Sequence, residues 1–476
     1  MMQRAPHRRS MLKRAAWLAA SLPFAPQAWA QTLGYPRTLQ GPMVGAPTAS
    51  SIRVWARVSG TFDIVLEVSP ARDFTDVRAS QPVRADANSD FTAVVSVDRL
   101  SPATSYYYRL RIDGVLDRYQ PLPYRTRTAP RGRSAFRAAF GSCARLQIDT
   151  DQRIFSVAQA LEPDLMFFLG DNIYADSTEP AAVADLYRRQ REIERLKPLI
   201  RSTPSLAIWD DHDFAINDSD RSNPIREQSL TLFKQYWANP SGGLPNAPGV
   251  FFKYAYGGAD FFFLDGRYNR DAADAPDVPG KTMLGAEQKT WLKDELRASH
   301  APFKVLVSGG GFSKAERDGD SWAVYQHERD ELFDFIRDNR IEGVFGISGD
   351  SHMGELNCVP RSEQGGYDFY DLCSSPLANL PDLDFVDQMP EVRIRRPWTR
   401  SCNVGLLDFD FDGGPKLTYT LHNIIGAPAW PALVLTPADL RNGASTWRQK
   451  IDEDELVRLE RYRAGGAYYD PDARTE

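Results

Sequence analysis

The chain is 476 residues long yet has only four cysteines and six histidines. Four cysteines cannot staple a chain of this length, so a packed hydrophobic core must carry the fold. An excess of positive charge is also missing. There are 57 Lys and Arg against 63 Asp and Glu, a net charge of −6. That balance argues against nucleic acid as a stable partner, because a phosphate backbone requires a basic face. After residue 30 no apolar run approaches the ~18 residues that would suggest a membrane span. Internal repeats and low-complexity tracts are absent, which excludes repeat architectures. What is present is ordinary for a globular protein: 42% hydrophobic and 25% charged residues, and length enough for two or three domains.

Residues 1–30 stand apart. They hold five Lys or Arg and no Asp or Glu, then a modest apolar stretch broken by Pro23 and Pro26, then Ala28-Trp29-Ala30. This reads as a cleavable secretory signal. Within it, Arg8-Arg9-Ser10-Met11-Leu12-Lys13 has the twin-arginine pattern, which implies export of an already folded protein by that machinery to the periplasm or beyond. The mature form is expected to have no membrane span. Residues 35–130 alternate apolar and polar side chains in short runs such as "SIRVWARV" and "SYYYRLRI". The pattern predicts an all-β sandwich, with a segment resembling a fibronectin type III-like domain.

From residue 135 to 435 the texture is different. Compact apolar runs alternate with helix-like stretches, including "AAVADLYRRQREIERLKPLI". The pattern predicts an α/β fold with buried strands. Residues 436–476 read as a charged C-terminal helix over 437–463 and a tail. In an oxidising compartment Cys358, Cys373 and Cys402 offer one disulfide, with the pairing left open.

Four apolar runs stop at polar clusters. "FRAAF" leads to Gly141-Ser142-Cys143, and "LMFFL" to Gly170-Asp171-Asn172-Ile173-Tyr174. "SLAIW" leads to Asp210-Asp211-His212-Asp213, and "VFGIS" to Gly349-Asp350-Ser351-His352. In open α/β sheets ligands bind beyond the carboxyl ends of the strands. If these strands lie side by side, one thiol, several carboxylates, two imidazoles and a phenol converge. Adjacent aspartates repel one another unless a cation sits among them. The donor types suit a hard or borderline multivalent ion, and more than one. His300, His327 and His422 lack such company and read as structural or surface residues.

At these residues the chain resembles the PhoD-like alkaline phosphatases, within the wider calcineurin-like metallophosphoesterase group. "FGSC", "DLMFFLGDNIYAD", "AIWDDHDFAIND", "LDGRYNRD" and "GISGDSHMGEL" follow in the family's order. Asn172 stands where many members carry an aromatic residue, and Asp213 where many carry Glu. The D-x-H motif of calcineurin-like enzymes is replaced by Gly-Ser-Cys, as in the PhoD-like branch.

The resemblance implies a metallophosphoesterase-like core that binds a ferric ion, Fe(3+), with calcium, Ca(2+), beside it. Cys143, Asp171 and Tyr174 would hold the iron, with Asp171 bridging to the neighbouring ion. Asp211 and Asp350 match further ligand positions, and Asp210 and Asn217 are weaker candidates. His212 matches a histidine that touches the phosphoryl group, and His352 one that binds metal or substrate. Arg145 and Arg267 follow motif strands and are candidate phosphate grips. The implied activity is hydrolysis of small phosphate monoesters by a metal-activated hydroxide. Phosphodiesterase or phospholipase D-type activity at the same centre is the alternative. A secreted binding protein with an inactive α/β part would have lost ligand residues, and none of the core set is missing.

Overall fold

The computed structural model describes residues 35–118, 123–313, 321–383 and 386–468. The expected signal segment lies outside the described residues. No described helix is long and apolar enough to cross a membrane.

The amino-terminal part is a sandwich of two antiparallel sheets. One orders Thr38–Val44, Ile52–Val58 and Thr92–Val97; the other is built on Phe62–Ser69 and Ser105–Ile112. Along Ser105–Ile112 every second residue is buried. That is the signature of a strand with one face on a core. Val54, Ile64, Leu66, Tyr108 and Ile112 form that core. Trp55 faces away from it, packs into the main core, and donates its indole N–H to the Gln235 carbonyl at 2.7 Å.

The larger part holds two six-stranded sheets packed face to face. In the first, the parallel strands Ser205–Ile208, Leu165–Leu169 and Phe136–Gly141 are followed by the antiparallel strands Asn403–Asp410, Lys416–Asn423 and Leu433–Leu435. The second runs Phe252–Tyr256, Ala259–Phe263, Phe303–Val307, Val344–Ser348, Phe369–Cys373, Glu355–Val359. Leu165–Leu169, Phe303–Val307 and Val344–Ser348 are buried at every residue, because each is covered on both faces. Phe167 joins the sheets, its ring centroid 4.9 Å from Phe261 and 5.2 Å from Phe263. Phe155 packs on Phe168 of the first sheet, and Phe333 on Phe369 of the second.

Three expectations are corrected. The four site strands do not share one sheet, since Val344–Ser348 belongs to the second. The stretch "AAVADLYRRQREIERLKPLI" is two helices, Pro180–Gln190 and Leu196–Ser202. Arg191 stands at the break, buried, with its guanidinium 4.2 Å from the centroid of a Trp237 ring. No disulfide forms among the described residues, and Cys143, Cys358, Cys373 and Cys402 are thiols. Cys373 lies opposite Glu355 and Cys358 opposite Tyr370, so the two thiols point to opposite faces of their sheet.

The C-terminal helix is also shorter than expected. It covers Glu453–Arg463, preceded by single turns at Pro437–Asp439 and Trp447–Lys450. Its Glu455 is buried and accepts the Tyr468 hydroxyl at 2.7 and 2.9 Å. Burial pushes this carboxyl up from its ordinary value of 4.5 to about 7. The folded state therefore binds more protons than the unfolded state between those values, and stability falls as pH rises through that window. Glu455→Gln is expected to match the parent near pH 5 and exceed it by about 1–3 kcal/mol at pH 8. Urea denaturation at both pH values checks this, and equal stability of the two proteins at pH 8 contradicts it.

Candidate metal centre

Although the motif strands are divided between two sheets, their carboxyl ends meet. The Asp350 N–H donates to Ser142 Oγ at 3.0 Å, and the Cys143 thiol points at the Asp350 carbonyl at 3.7 Å. The approach is close enough to require glycine. A Cβ on Gly349 would lie 2.5 Å from Ser142 Cβ, and one on Gly170 would lie 2.5 Å from Asp210 Cβ. Cys143, Asp171, Asp176, Asp350 and His352 all have positive φ, a conformation side-chain-bearing residues rarely adopt. Strain gathered in this way is typical of functional sites.

Two groups of ligand atoms form there, each with its members within 4.8 Å of one another. The first is Cys143, Asp171 and His352, and the second is Asp171, Asp211 and His212. Asp171 belongs to both. Cys143 Sγ lies 3.5 Å from Asp171 Oδ2. Tyr174 adds its hydroxyl to the first group, 3.0 Å from His352 Nε2. In the second, His212 Nε2 lies 3.9 Å from Asp211 Oδ2.

The electrostatics of these groups favour a bound cation. Asp171 is buried, and burial followed by the charge of Asp211 pushes its carboxyl well above the usual range. Burial likewise pushes the Cys143 thiol up to about 12, with Asp350 adding to it, and raises the Tyr174 phenol. Asp171 Oδ1 and Asp211 Oδ1 are buried and accept no hydrogen bond among the described residues. A buried carboxylate oxygen left in that state is costly. Multivalent ions would satisfy these oxygens and favour the anionic forms of thiol and phenol. The donor set fits the implied pair: thiolate, phenolate and imidazole beside carboxylate for a ferric ion, and carboxylate oxygens for calcium.

Other expected site residues are placed differently. Arg267, expected as a phosphate grip, is fully buried. Its Nε donates to Asp210 Oδ1, its Nη1 to the Ser219 carbonyl at 3.3 Å, and its Nη2 lies 3.7 Å from Asp211 Oδ1. Asp265 orients it by accepting the Arg267 backbone N–H at 2.9 Å and the Trp209 indole N–H at 2.8 Å. Asp210 and Asp350 lie outside both ligand groups. Asp210 is engaged by Arg267, and the Asp350 main chain meets Ser142 and Cys143. Asn217 is exposed on the following loop. Arg145 does sit at the mouth. It is partly exposed, with its guanidinium 5.0 Å from the centroid of the Tyr174 ring and Nη2 3.9 Å from Asp176 Oδ2.

Two residues the sequence did not single out complete the arrangement. Asp176 accepts a hydrogen bond from His212 Nδ1, which turns Nε2 towards the second group. Asn379 Nδ2 approaches His352 Nε2 at 3.3 Å. Asp176 follows directly on the Gly-Asp cluster and could have been found by that proximity. Asn379 lies in "SSPLANL", which carries no such signal. Asp213 is structural, accepting the backbone N–H of Asn172 at 3.0 Å and of Asp210 at 3.2 Å and the Tyr187 hydroxyl at 3.1 Å.

A family model described as PhoD-like phosphatase matches residues 138–382, and one described as the PhoD-like phosphatase N-terminal domain matches residues 24–130. The chain is 25% identical over 383 residues to alkaline phosphatase D of Bacillus subtilis (strain 168), a match covering 67% of this chain. It spans 64% of that relative's length. Among solved structures, one described as the structure of PhoD superposes with a TM-score of 0.69 at 19% identity, over 90% of this chain and 99% of that one. Purple acid phosphatase PPD1 from yellow lupin (Lupinus luteus) seeds has a TM-score of 0.59 at 13% identity, over 84% and 75%. These two structures share the fold.

Proposed function

The chain belongs to the PhoD-like phosphatase family, and from that premise we propose that it is a metal-dependent phosphatase hydrolysing small phosphate monoesters. The observation that carries the reading is the pair of ligand groups sharing Asp171. Such an arrangement holds two ions side by side.

In this proposal Cys143, Asp171, Tyr174 and His352 would hold a ferric ion, and Asp171 and Asp211 would hold calcium. When bound, the two cations supply Lewis acidity at phosphorus and a more acidic water. The chain's own residues do the rest. Asp176 holds the His212 ring through Nδ1, so that Nε2 faces the phosphoryl group, and in the imidazolium form the Nε2–H can pass its proton to the leaving oxygen. Arg145 adds positive charge at the mouth and can pair with a phosphoryl oxygen. Asn379 orients His352. Export by the twin-arginine route belongs to the same proposal and rests on Arg8-Arg9 and the residues around them; recovery in the periplasmic fraction tests it.

Metal analysis of the purified protein is expected to find iron and calcium. A ferric ion bound to a phenolate gives a visible charge-transfer band, and Tyr174→Phe should abolish it while the protein stays folded. A band that survives the substitution removes Tyr174 from the centre, and protein without either metal removes the centre itself. Comparing kcat/KM for p-nitrophenyl phosphate and its bis ester tests the preference for monoesters.

A further inference from the structure

We propose that the amino-terminal sandwich is a positioning element of the metal centre: its Asp90 fixes, through Tyr236 and Tyr187, the helical turn that carries Asp211 and His212. The inference rests on the phosphatase reading above and deepens it. Asp90 follows the turn Ala87–Ser89 and takes a left-handed backbone, with φ 50°. Within the sandwich it is held by Arg57, whose Nη2 donates to Oδ1 at 3.0 Å and whose Nε donates to Oδ2 at 3.1 Å. The same carboxylate takes two further donors from the larger part. Arg188 Nη1 donates to Oδ2 at 3.0 Å, and the Tyr236 hydroxyl donates to the same oxygen. Arg188 lies near the end of the helix Pro180–Gln190, and Tyr236 closes the helix Arg226–Tyr236. One carboxylate from the sandwich thus joins the ends of two helices.

Both helices reach the centre through side-chain contacts. The Tyr236 and Tyr187 rings are buried and stacked, with centroids 4.9 Å apart and planes 12° apart. The Tyr187 hydroxyl donates to Asp213 Oδ1 at 3.1 Å. Asp213 in turn accepts the backbone N–H groups of Asn172 and Asp210, the chain neighbours of Asp171 and Asp211. A second route runs along the helix that Tyr236 closes: its Ser229 Oγ donates to the Phe214 carbonyl at 2.6 Å, at the end of the turn Asp211–Phe214. Groups that orient metal ligands from behind change metal affinity by about 10–100-fold when they are removed. A line of packed residues transmits such an effect only where its links act as a unit, which coupling measurements decide.

The test compares Asp90→Asn, Tyr187→Phe and the double variant, with Glu67→Gln as control. Asparagine tolerates the left-handed backbone, and phenylalanine keeps the ring stack. Glu67 accepts Arg109 Nε at 2.6 Å and Arg111 Nε at 2.5 Å, all three within the sandwich. In calcium titrations of the iron-loaded protein, Asp90→Asn and Tyr187→Phe should each weaken calcium about tenfold. The ferric–phenolate band, which reports the other ligand group, should stay in place. The double variant should bind calcium about as well as the weaker single one, because both changes cut one chain. Glu67→Gln should lower the melting temperature and leave calcium affinity unchanged. In the metal-free protein, hydrogen exchange at the amides of Asn172 and of residues 210–215 should quicken in both single variants and not in the control. Parental calcium affinity and parental exchange in Asp90→Asn, or losses that multiply in the double variant, overturn the positioning role. A parent that takes up no metal removes the phosphatase centre, whereas exchange in the metal-free protein still decides whether Asp90 holds the turn.

Discussion

Asp171→Asn is expected to lose iron and calcium together and to lower kcat/KM for p-nitrophenyl phosphate by ~10³-fold or more. The size follows from position. Asp171 is the one residue common to both ligand groups, and an amide is a neutral and weaker donor than a carboxylate. A second effect runs the other way. In the metal-free protein this carboxylate is buried, lacks a hydrogen bond on Oδ1, and is surrounded by Asp211, Cys143, Asp210 and Asp213. Removing its charge relieves that repulsion, so the metal-free variant should melt above the metal-free parent. Metal content, turnover and the two melting curves together check the assignment. A variant that keeps both metals would show that Asp171 is not the bridge.

Arg267→Met should be the most destabilising single change near the centre, costing about 3–5 kcal/mol. The guanidinium is the buried counter-charge to Asp210 and lies 3.7 Å from Asp211 Oδ1. Methionine fills much of the volume but leaves the Asp210 carboxylate buried without its cation. Adding Asp210→Asn should recover part of the loss, because the stranded charge is then gone. Thermal unfolding of both variants measures the effect. Had Arg267 gripped substrate at the mouth, as its place after a motif strand suggested, KM would rise with little change in stability. That outcome would reverse the placement made here.

Much of the core was legible because the strands are buried on both faces, so that "LMFFL" and "VFGIS" stand out as unbroken apolar runs. The amino-terminal sandwich was legible for the opposite reason: one wet face imposes alternation. The candidate ligands Cys143, Asp171, Asp211 and His352 stood out as a thiol, acids and an imidazole placed just past strand ends. The division of the strands between two sheets could not, since strand pairing is a long-range property and a buried run looks the same in either sheet. For the same reason "DGRYN" does not reveal whether Arg267 points outward or into a nest of carboxylates. The C-terminal stretch misled because its charges resemble a solvated helix, whereas only Glu453–Arg463 takes that form.

The division of the ligands between the sheets has a mechanical consequence. Cys143, Asp171 and Asp211 hang from one layer and His352 from the other. An ion gripped by both would be a removable cross-link between two slabs, added to the side-chain packing and to hydrogen bonds such as that from the Leu377 N–H to the Ser142 carbonyl at 2.7 Å. Loading and rigidity would then become a single equilibrium: without the metal of the proposed centre the protein would be not merely idle but a looser body, more open to proteases at the seam.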